Sequence, residues 1–131
     1  MNTQLQQQIT KHNNIITTKE KAIQQAEFGM TIAKLTGNPS LFINRYEARM
    51  GECKHHIKHS ELMIRLFNTF NTAPINKGKL KIIYNLIKAN AVEIDHYMSL
   101  CVEENLYTEY EYKNHVERFM EEIRRWERLG C

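Results

Sequence analysis

The fold is decided by residues 39–70, which read PSLFINRYEARMGECKHHIKHSELMIRLFNTF. Apolar or small side chains recur there in alternating steps of three and four residues, at Ile43, Tyr46, Met50, Cys53, Ile57, Ser60, Ile64 and Phe67. That spacing places them along one side of an α-helix and is typical of a seam between packed helices. Near the end of the stretch the apolar side widens, which indicates burial on several sides or contact with another chain.

The same spacing predicts three more helices around this one. A first helix over residues 3–36 carries Ile9, Ile16, Ile23 and Met30 at intervals of seven, and a third covers residues 78–105. A fourth covers residues 108–129, where Thr108 and Glu111 have the spacing of a capping box. Short linkers favour antiparallel neighbours. We expect an all-α, antiparallel bundle of about four helices, in a single domain over residues 1–131, with the first two helices longest.

Composition supports this architecture. The chain has only 2 Pro and 5 Gly, residues that turns and sheets use and that helix interiors exclude. Hydrophobic residues make up 42%, which is enough for a core, yet no apolar run approaches the roughly 20 residues that span a bilayer. We expect no membrane segment. The first helix is long and its first half is polar, so we expect that half to project beyond the bundle.

Two Glu-x-x-His elements resemble those that hold a carboxylate-bridged metal pair inside some helical bundles. They are formed by Glu52 with His55 and by Glu93 with His96. Both lie beside the predicted seams, so we expect exposed polar side chains on outer faces. His55 and His59 have a spacing that can share a metal, but a zinc site needs three or four ligands. We expect no metal ion and keep a di-metal bundle only as a second alternative.

The cysteines give no sign of a reactive thiol. Cys53, Cys101 and Cys131 are odd in number and widely spaced, which does not indicate a disulfide framework. Cys53 and Cys101 fall in predicted seams, where thiols are usually inert. The chain also lacks a phosphate-binding glycine-rich loop. We therefore expect no catalytic residue, no cofactor and no enzymatic activity, in a reducing, cytoplasmic setting.

Charge is distributed unevenly along the chain. Residues 45–88 contain nine Lys or Arg and three Glu, a net charge of +6, whereas residues 93–122 contain nine acids and two bases, a net charge of −7. The acidic end could pair with the second helix inside the bundle. Alternatively, the basic stretch offers a surface for an acidic partner or for phosphates. The candidate partner-binding residues are Lys54, His55, Lys58, His59, Arg65, Lys77, Lys79 and Lys81.

These observations favour a non-enzymatic protein-interaction module that binds another protein or protein complex. An excess of Ile, Lys and Asn over Ala, Gly and Pro is typical of AT-rich coding. It suggests a small phage or mobile-element regulator or inhibitor of a host complex. A nucleic-acid-binding helical protein that uses the basic stretch 45–88 is the main alternative. The wide apolar stripes also leave room for a homodimer.

Overall fold

The fold is all-α, as predicted. The computed structural model describes residues 3–37, 40 and 42–128, and these form four helices and no strand. The helices are α1 (Thr3–Leu35), α2 (Ile43–Phe70), α3 (Lys77–Glu103) and α4 (Glu109–Arg128). None of these helices combines the length and the apolar character that crossing a bilayer requires.

The helix ends follow local hydrogen-bonding chemistry. The predicted capping box is confirmed at α4, where the Thr108 hydroxyl accepts a hydrogen bond from the Glu111 N–H at 3.1 Å. At α3 the side chain of Asn76 accepts from the Lys79 N–H at 3.0 Å. The predicted start of the second helix at residue 39 is wrong, because the carbonyl that accepts its first helical hydrogen bond belongs to Phe42. The sequence also predicts Asn38 as the cap and Pro39 in the first turn of that helix, and Gly130 at the end of the fourth, but these three residues lie outside the described ones.

Neighbouring helices are antiparallel, as the contacts between them show. Along α1 and α2, Lys19 contacts Glu52 and His12 contacts Ser60, so one residue number rises as the other falls. The pairs between α2 and α3 reverse in the same way, with His55 on Asn90 and Cys101 on the carbonyl of Ala48. Between α3 and α4 the pairs are Asp95–Tyr112 and Tyr84–Glu127.

The core centres on α2, which packs between α1 and α3 and receives side chains from α4. The largest apolar cluster joins α2 to α3 and consists of Leu62, Met63, Leu66, Phe67, Leu80, Ile83 and Ile87. Leu5, Ile9, Phe70 and Trp126 pack against it. The widened apolar end of the second helix is therefore covered within the chain.

The polar first half of α1 does not project beyond the bundle, contrary to our expectation. Leu5 and Ile9 pack on the main cluster, and His12 is buried against Ser60. The physical reason is that α1 and α2 lie side by side over nearly their whole lengths, so the buried polar residues of α1 face α2. Exposed apolar residues lie instead near the C-terminal end of α1, where Phe28 is 67% and Leu35 is 78% exposed.

Candidate functional site

A basic stripe runs along the outer side of α2. Lys54, Lys58 and Arg65 are exposed, as predicted, and their spacings of four and seven residues place them on one side of the helix. Glu61 lies in the same stripe and is also exposed. The opposite side of α2 carries the histidines and aromatic residues that meet α4, so α4 does not cover the stripe.

The start of α3 extends this stripe through only one of its three predicted lysines. Lys79 and Arg65 line the same surface cavity, whose volume is about 400 Å³. Lys77 and Lys81 are exposed as well, but each lies two residues from Lys79. Two residues correspond to about 200° around a helix, so Lys77 and Lys81 point away from the Lys79 side.

Apolar side chains accompany the lysine that extends the stripe. Ile82 and Leu86 follow Lys79 by three and seven residues and therefore share its side of α3. They remain 62% and 40% exposed, respectively. We call this combined surface the basic–apolar face and define it by Lys54, Lys58, Arg65, Lys79, Ile82 and Leu86.

The acidic end of the chain does not neutralise the basic–apolar face. Within the described ranges, none of its four cations lies within ion-pair distance of a carboxylate. Of the basic stretch, Lys88 does pair with α4, since its Nζ lies 3.6 Å from Glu127 Oε1. Pairing of the acidic end with the second helix therefore accounts for little of the uneven charge.

Two histidines among the predicted site residues are not free surface groups. His59 is only 6% exposed, because its ring packs against Phe119 of α4 at a centroid distance of 4.6 Å. The His55 ring is half-buried, hydrogen-bonded to Asn90 at 2.8 Å and stacked on Tyr97. The expectation that His59 belongs to a partner-binding surface is wrong for the described conformation.

The most marked difference from the sequence analysis is Glu52, which we expected on an outer face. It is completely buried, 0% exposed, and forms ion pairs with Lys19 and with Arg49, the latter at 3.0 Å. The His56 Nδ1 lies 3.0 Å from the same carboxylate. Burial alone would raise the pKa of Glu52, but the hydrogen bond from His56 and the charge of Lys19 hold it well below its usual range.

The Glu52 network reaches three segments of the chain. Arg49 donates a hydrogen bond to the Tyr107 hydroxyl at 2.6 Å, which ties the α3–α4 connection to α2. Lys19 brings in α1. Sequence reasoning missed Lys19, Arg49 and Tyr107, because no local pattern marks a partner that lies tens of residues away. The only signal was the position of Glu52 immediately before the seam residue Cys53.

Four imidazoles gather between α1, α2 and α4. His56 and His115 are joined by a hydrogen bond of 2.7 Å between their Nε2 atoms, and the rings of His12 and His59 lie 6.0 Å apart. Burial lowers the pKa of His12 and of His115 to about 4, and that of His59 to about 3. His59 Nδ1 is buried and has no hydrogen-bond partner among the residues that the structure describes.

This cluster is not arranged as a metal centre. No group of three or more His, Cys, Asp or Glu side chains with suitable geometry for a metal ion occurs in the part of the chain that the structure describes. Glu93 and His96 are exposed, as predicted. His56 and His115 converge as a pair, and Glu52 occupies the other side of the His56 ring, so both ring nitrogens of His56 are engaged by other groups of the chain.

The two described thiols are enclosed and protonated. Cys53 and Cys101 are 0% exposed and form no disulfide. Burial and the neighbouring Glu52 charge raise the pKa of Cys53 to about 12, and the same causes raise the pKa of Cys101 to about 11. Each thiol donates a hydrogen bond, Cys53 to Glu52 and Cys101 to the Ala48 carbonyl. Cys131, the third cysteine, lies outside the described residues.

The arrangement of α2 and α3 therefore offers one surface with unbalanced charge, the basic–apolar face, beside an interior whose polar groups largely bond to one another. Comparison of the chain with protein-family models, with curated proteins and with solved structures finds no match.

Proposed function

We propose that the chain is a non-enzymatic interaction module that binds an acidic partner protein through its basic–apolar face. The observation that carries this proposal is the exposure, side by side, of two aliphatic side chains and four cations that have no ion-pair partner among the described residues. Cations steer an acidic partner toward the surface and orient it, and aliphatic groups gain free energy when the partner removes them from water.

A protein fits this face better than a nucleic acid. The phosphate backbone offers Ile82 and Leu86 nothing to bury them, whereas a partner helix or loop with leucine-like side chains does. Glu61 also lies within the stripe and repels phosphate while it can accept a cation from a protein. The proposal extends to a phage or mobile-element regulator or inhibitor of a host complex. It also extends to a reducing, cytoplasmic setting, which the free Cys53 and Cys101 favour.

The test is charge reversal with a matched control. We expect the triple variant Lys54→Glu, Lys58→Glu, Arg65→Glu to lose a partner that the unmodified chain captures from a lysate of its source. The control reverses Lys21, Lys34 and Arg124, three exposed cations elsewhere on the molecule, and keeps the partner. The proposal fails if both variants capture the same partner, or if neither does while both remain folded by circular dichroism.

A parallel titration addresses nucleic acid. Fluorescent duplex and single-stranded oligonucleotides are titrated with the chain at 50 mM and 200 mM salt. Contact of about three cations with phosphates would give a slope of roughly −2.7 in log K against log salt on duplex DNA. We expect no saturable binding at either salt concentration. Binding with such a slope that the triple variant abolishes would replace the acidic protein partner with a nucleic acid.

A further inference from the structure

A second concave feature lies between α3 and α4, on the side of α3 away from the basic–apolar face. It is a cavity of about 530 Å³, within the range of roughly 300–1,000 Å³ found for small-molecule sites. Its walls are predominantly apolar and include Ala91, Val92, Met98, Val116, Phe119 and Met120.

The cavity exists because α3 and α4 are fastened at two separated points. At one end Glu127 accepts a hydrogen bond from Tyr84 at 2.8 Å and lies 3.6 Å from Lys88 Nζ. At the other end the Tyr112 hydroxyl donates to Asp95 at 2.6 Å. Between them α3 presents the small side chain of Ala91, which leaves the middle of the contact unfilled.

The same contacts determine the charge that an occupant meets. Lys88 and Glu127 neutralise each other at one end, and Asp95 is engaged by Tyr112 at the other. His115 lies in the wall, bonded to His56, and burial lowers its pKa to about 4, so its ring is neutral near pH 7. Asp95 keeps its negative charge at the exposed rim and has no ion-pair partner within the described ranges, so the apolar walls themselves offer a charged molecule no counter-charge.

Its mouth is apolar and adaptable. Val92 is 68% exposed and Met120 is 45% exposed, so both leave aliphatic surface in water. Methionine side chains at Met98 and Met120 rearrange easily around apolar ligands of different shape. An occupant would remove this surface from water without competing with any hydrogen bond of the rim.

From the volume, the apolar walls and the apolar mouth, we propose that the α3–α4 cavity binds one small, uncharged, apolar molecule. This site is separate from the basic–apolar face and does not depend on the function proposed for it. The uncharged fluorophore N-phenyl-1-naphthylamine, which brightens in apolar surroundings, serves as the probe with the full-length chain at pH 7.5. We expect saturable binding with one probe per chain.

A matched pair of substitutions locates the site. Ala91→Phe fills the cavity and is expected to weaken probe binding at least tenfold. Ala89→Phe makes the same change two residues earlier, at an exposed position of α3, and leaves the affinity unchanged. Absence of saturable binding to the unmodified chain, or equal weakening by both substitutions, overturns the proposal.

Methyl-resolved NMR of the unmodified chain keeps the test decisive if Ala91→Phe does not fold. The probe is expected to shift the methyl resonances of Ile94, Val116 and Met120, which line the cavity. Those of Ile82 and Leu86, on the basic–apolar face, should stay in place. Shifts confined to Ile82 and Leu86 contradict the proposed site, while leaving the acidic-partner proposal to its own test.

Discussion

Glu52 is the one Asp, Glu, Lys or Arg that is fully buried in the described part of the chain, and its surroundings explain how this is possible. A buried carboxylate costs several kcal/mol unless charged and hydrogen-bonding groups replace its water. Lys19 and Arg49 supply the charge, and His56 and Cys53 supply further hydrogen bonds. Lys19 belongs to α1, and Arg49 also contacts Tyr107 in the segment between α3 and α4. The Glu52 carboxylate therefore links α1 to the α3–α4 connection.

The substitution Glu52→Gln should therefore destabilise the fold without changing its shape. It leaves Lys19 and Arg49 without a counter-charge in a partly buried environment. We expect a loss of about 3 kcal/mol in the free energy of unfolding, the lower end for buried pairs, because both cations keep some contact with water. Urea unfolding measures it, with Glu47→Gln at an exposed position of α2 as control. Equal small effects for the two variants would show that the network contributes little.

At the level of helices, α3 packs directly on the backbone of α2 where the Tyr97 ring meets Gly51. A Cβ atom added at Gly51 would overlap carbons of the Tyr97 ring, far inside van der Waals contact. The aromatic ring thus takes the space that a side chain would need, although glycine is unfavourable in a helix interior. This glycine is required by helix packing, since neither a turn nor a positive φ is involved.

Two glycine substitutions in helices should consequently change the free energy of unfolding in opposite directions. Gly51→Ala is expected to destabilise by about 1–3 kcal/mol, because the overpacking cost exceeds the gain in helix propensity. Gly29→Ala, in α1 with nothing within 4 Å of the added Cβ, is expected to stabilise by about 0.5–1 kcal/mol. Thermal and urea unfolding of both variants decide the matter. Stabilisation by Gly51→Ala would mean that Tyr97 moves aside at little cost.

The sequence alone was sufficient for the elements that depend on local spacing. Steps of three and four residues predicted that the polar residue Ser60 faces inward on α2, and it is buried against His12. The same reasoning failed at His12 and Lys19 of α1, because a polar residue is read as exposed until its partner is known. Those partners, Ser60 and Glu52, are 48 and 33 positions away.

The residues of the candidate site also differ in whether local spacing was enough to predict their exposure. Lys54, Lys58 and Arg65 each follow a seam residue directly and so lie about 100° from it around the helix, and their exposure was predicted correctly. His59 follows Lys58 directly but turns toward α4, and the placement of α4 depends on contacts between distant residues such as His56 with His115. Local periodicity identified the exposed stripe but could not identify which side the fourth helix would cover.

For the molecule as a whole, the buried imidazoles predict sensitivity to acid. His12, His59 and His115 have lowered pKa values in the folded state, so the unfolded chain binds more protons once the pH falls below about 6.5. Stability is therefore present near neutral pH and is lost as the pH falls toward 4. Below pH 4.5 protonation of Glu52 adds to the loss, whereas Glu122, whose pKa burial raises, offsets part of it.

If unfolding takes up three protons, the free energy of unfolding changes by at most about 4 kcal/mol per pH unit near pH 5. Allowing for Glu122, we expect a fall of about 2–4 kcal/mol between pH 6 and pH 5, measured by urea unfolding. His59→Phe should reduce this slope by about one proton, whereas His96→Gln, at an exposed position, should not. A stability that is constant from pH 7 to pH 5 would contradict the burial of these rings.

The alkylation rates of the enclosed thiols of Cys53 and Cys101 report how often the folded chain opens. A thiol that no solvent reaches can be alkylated only while the helices around it are separated. In a Cys131→Ser background the labelling rate therefore measures the frequency of opening, with Cys53 as the reporter on α2 and Cys101 as the reporter on α3. Under native conditions both should react several orders of magnitude more slowly than a free cysteine, and in step with each other if the two helices part in a single event.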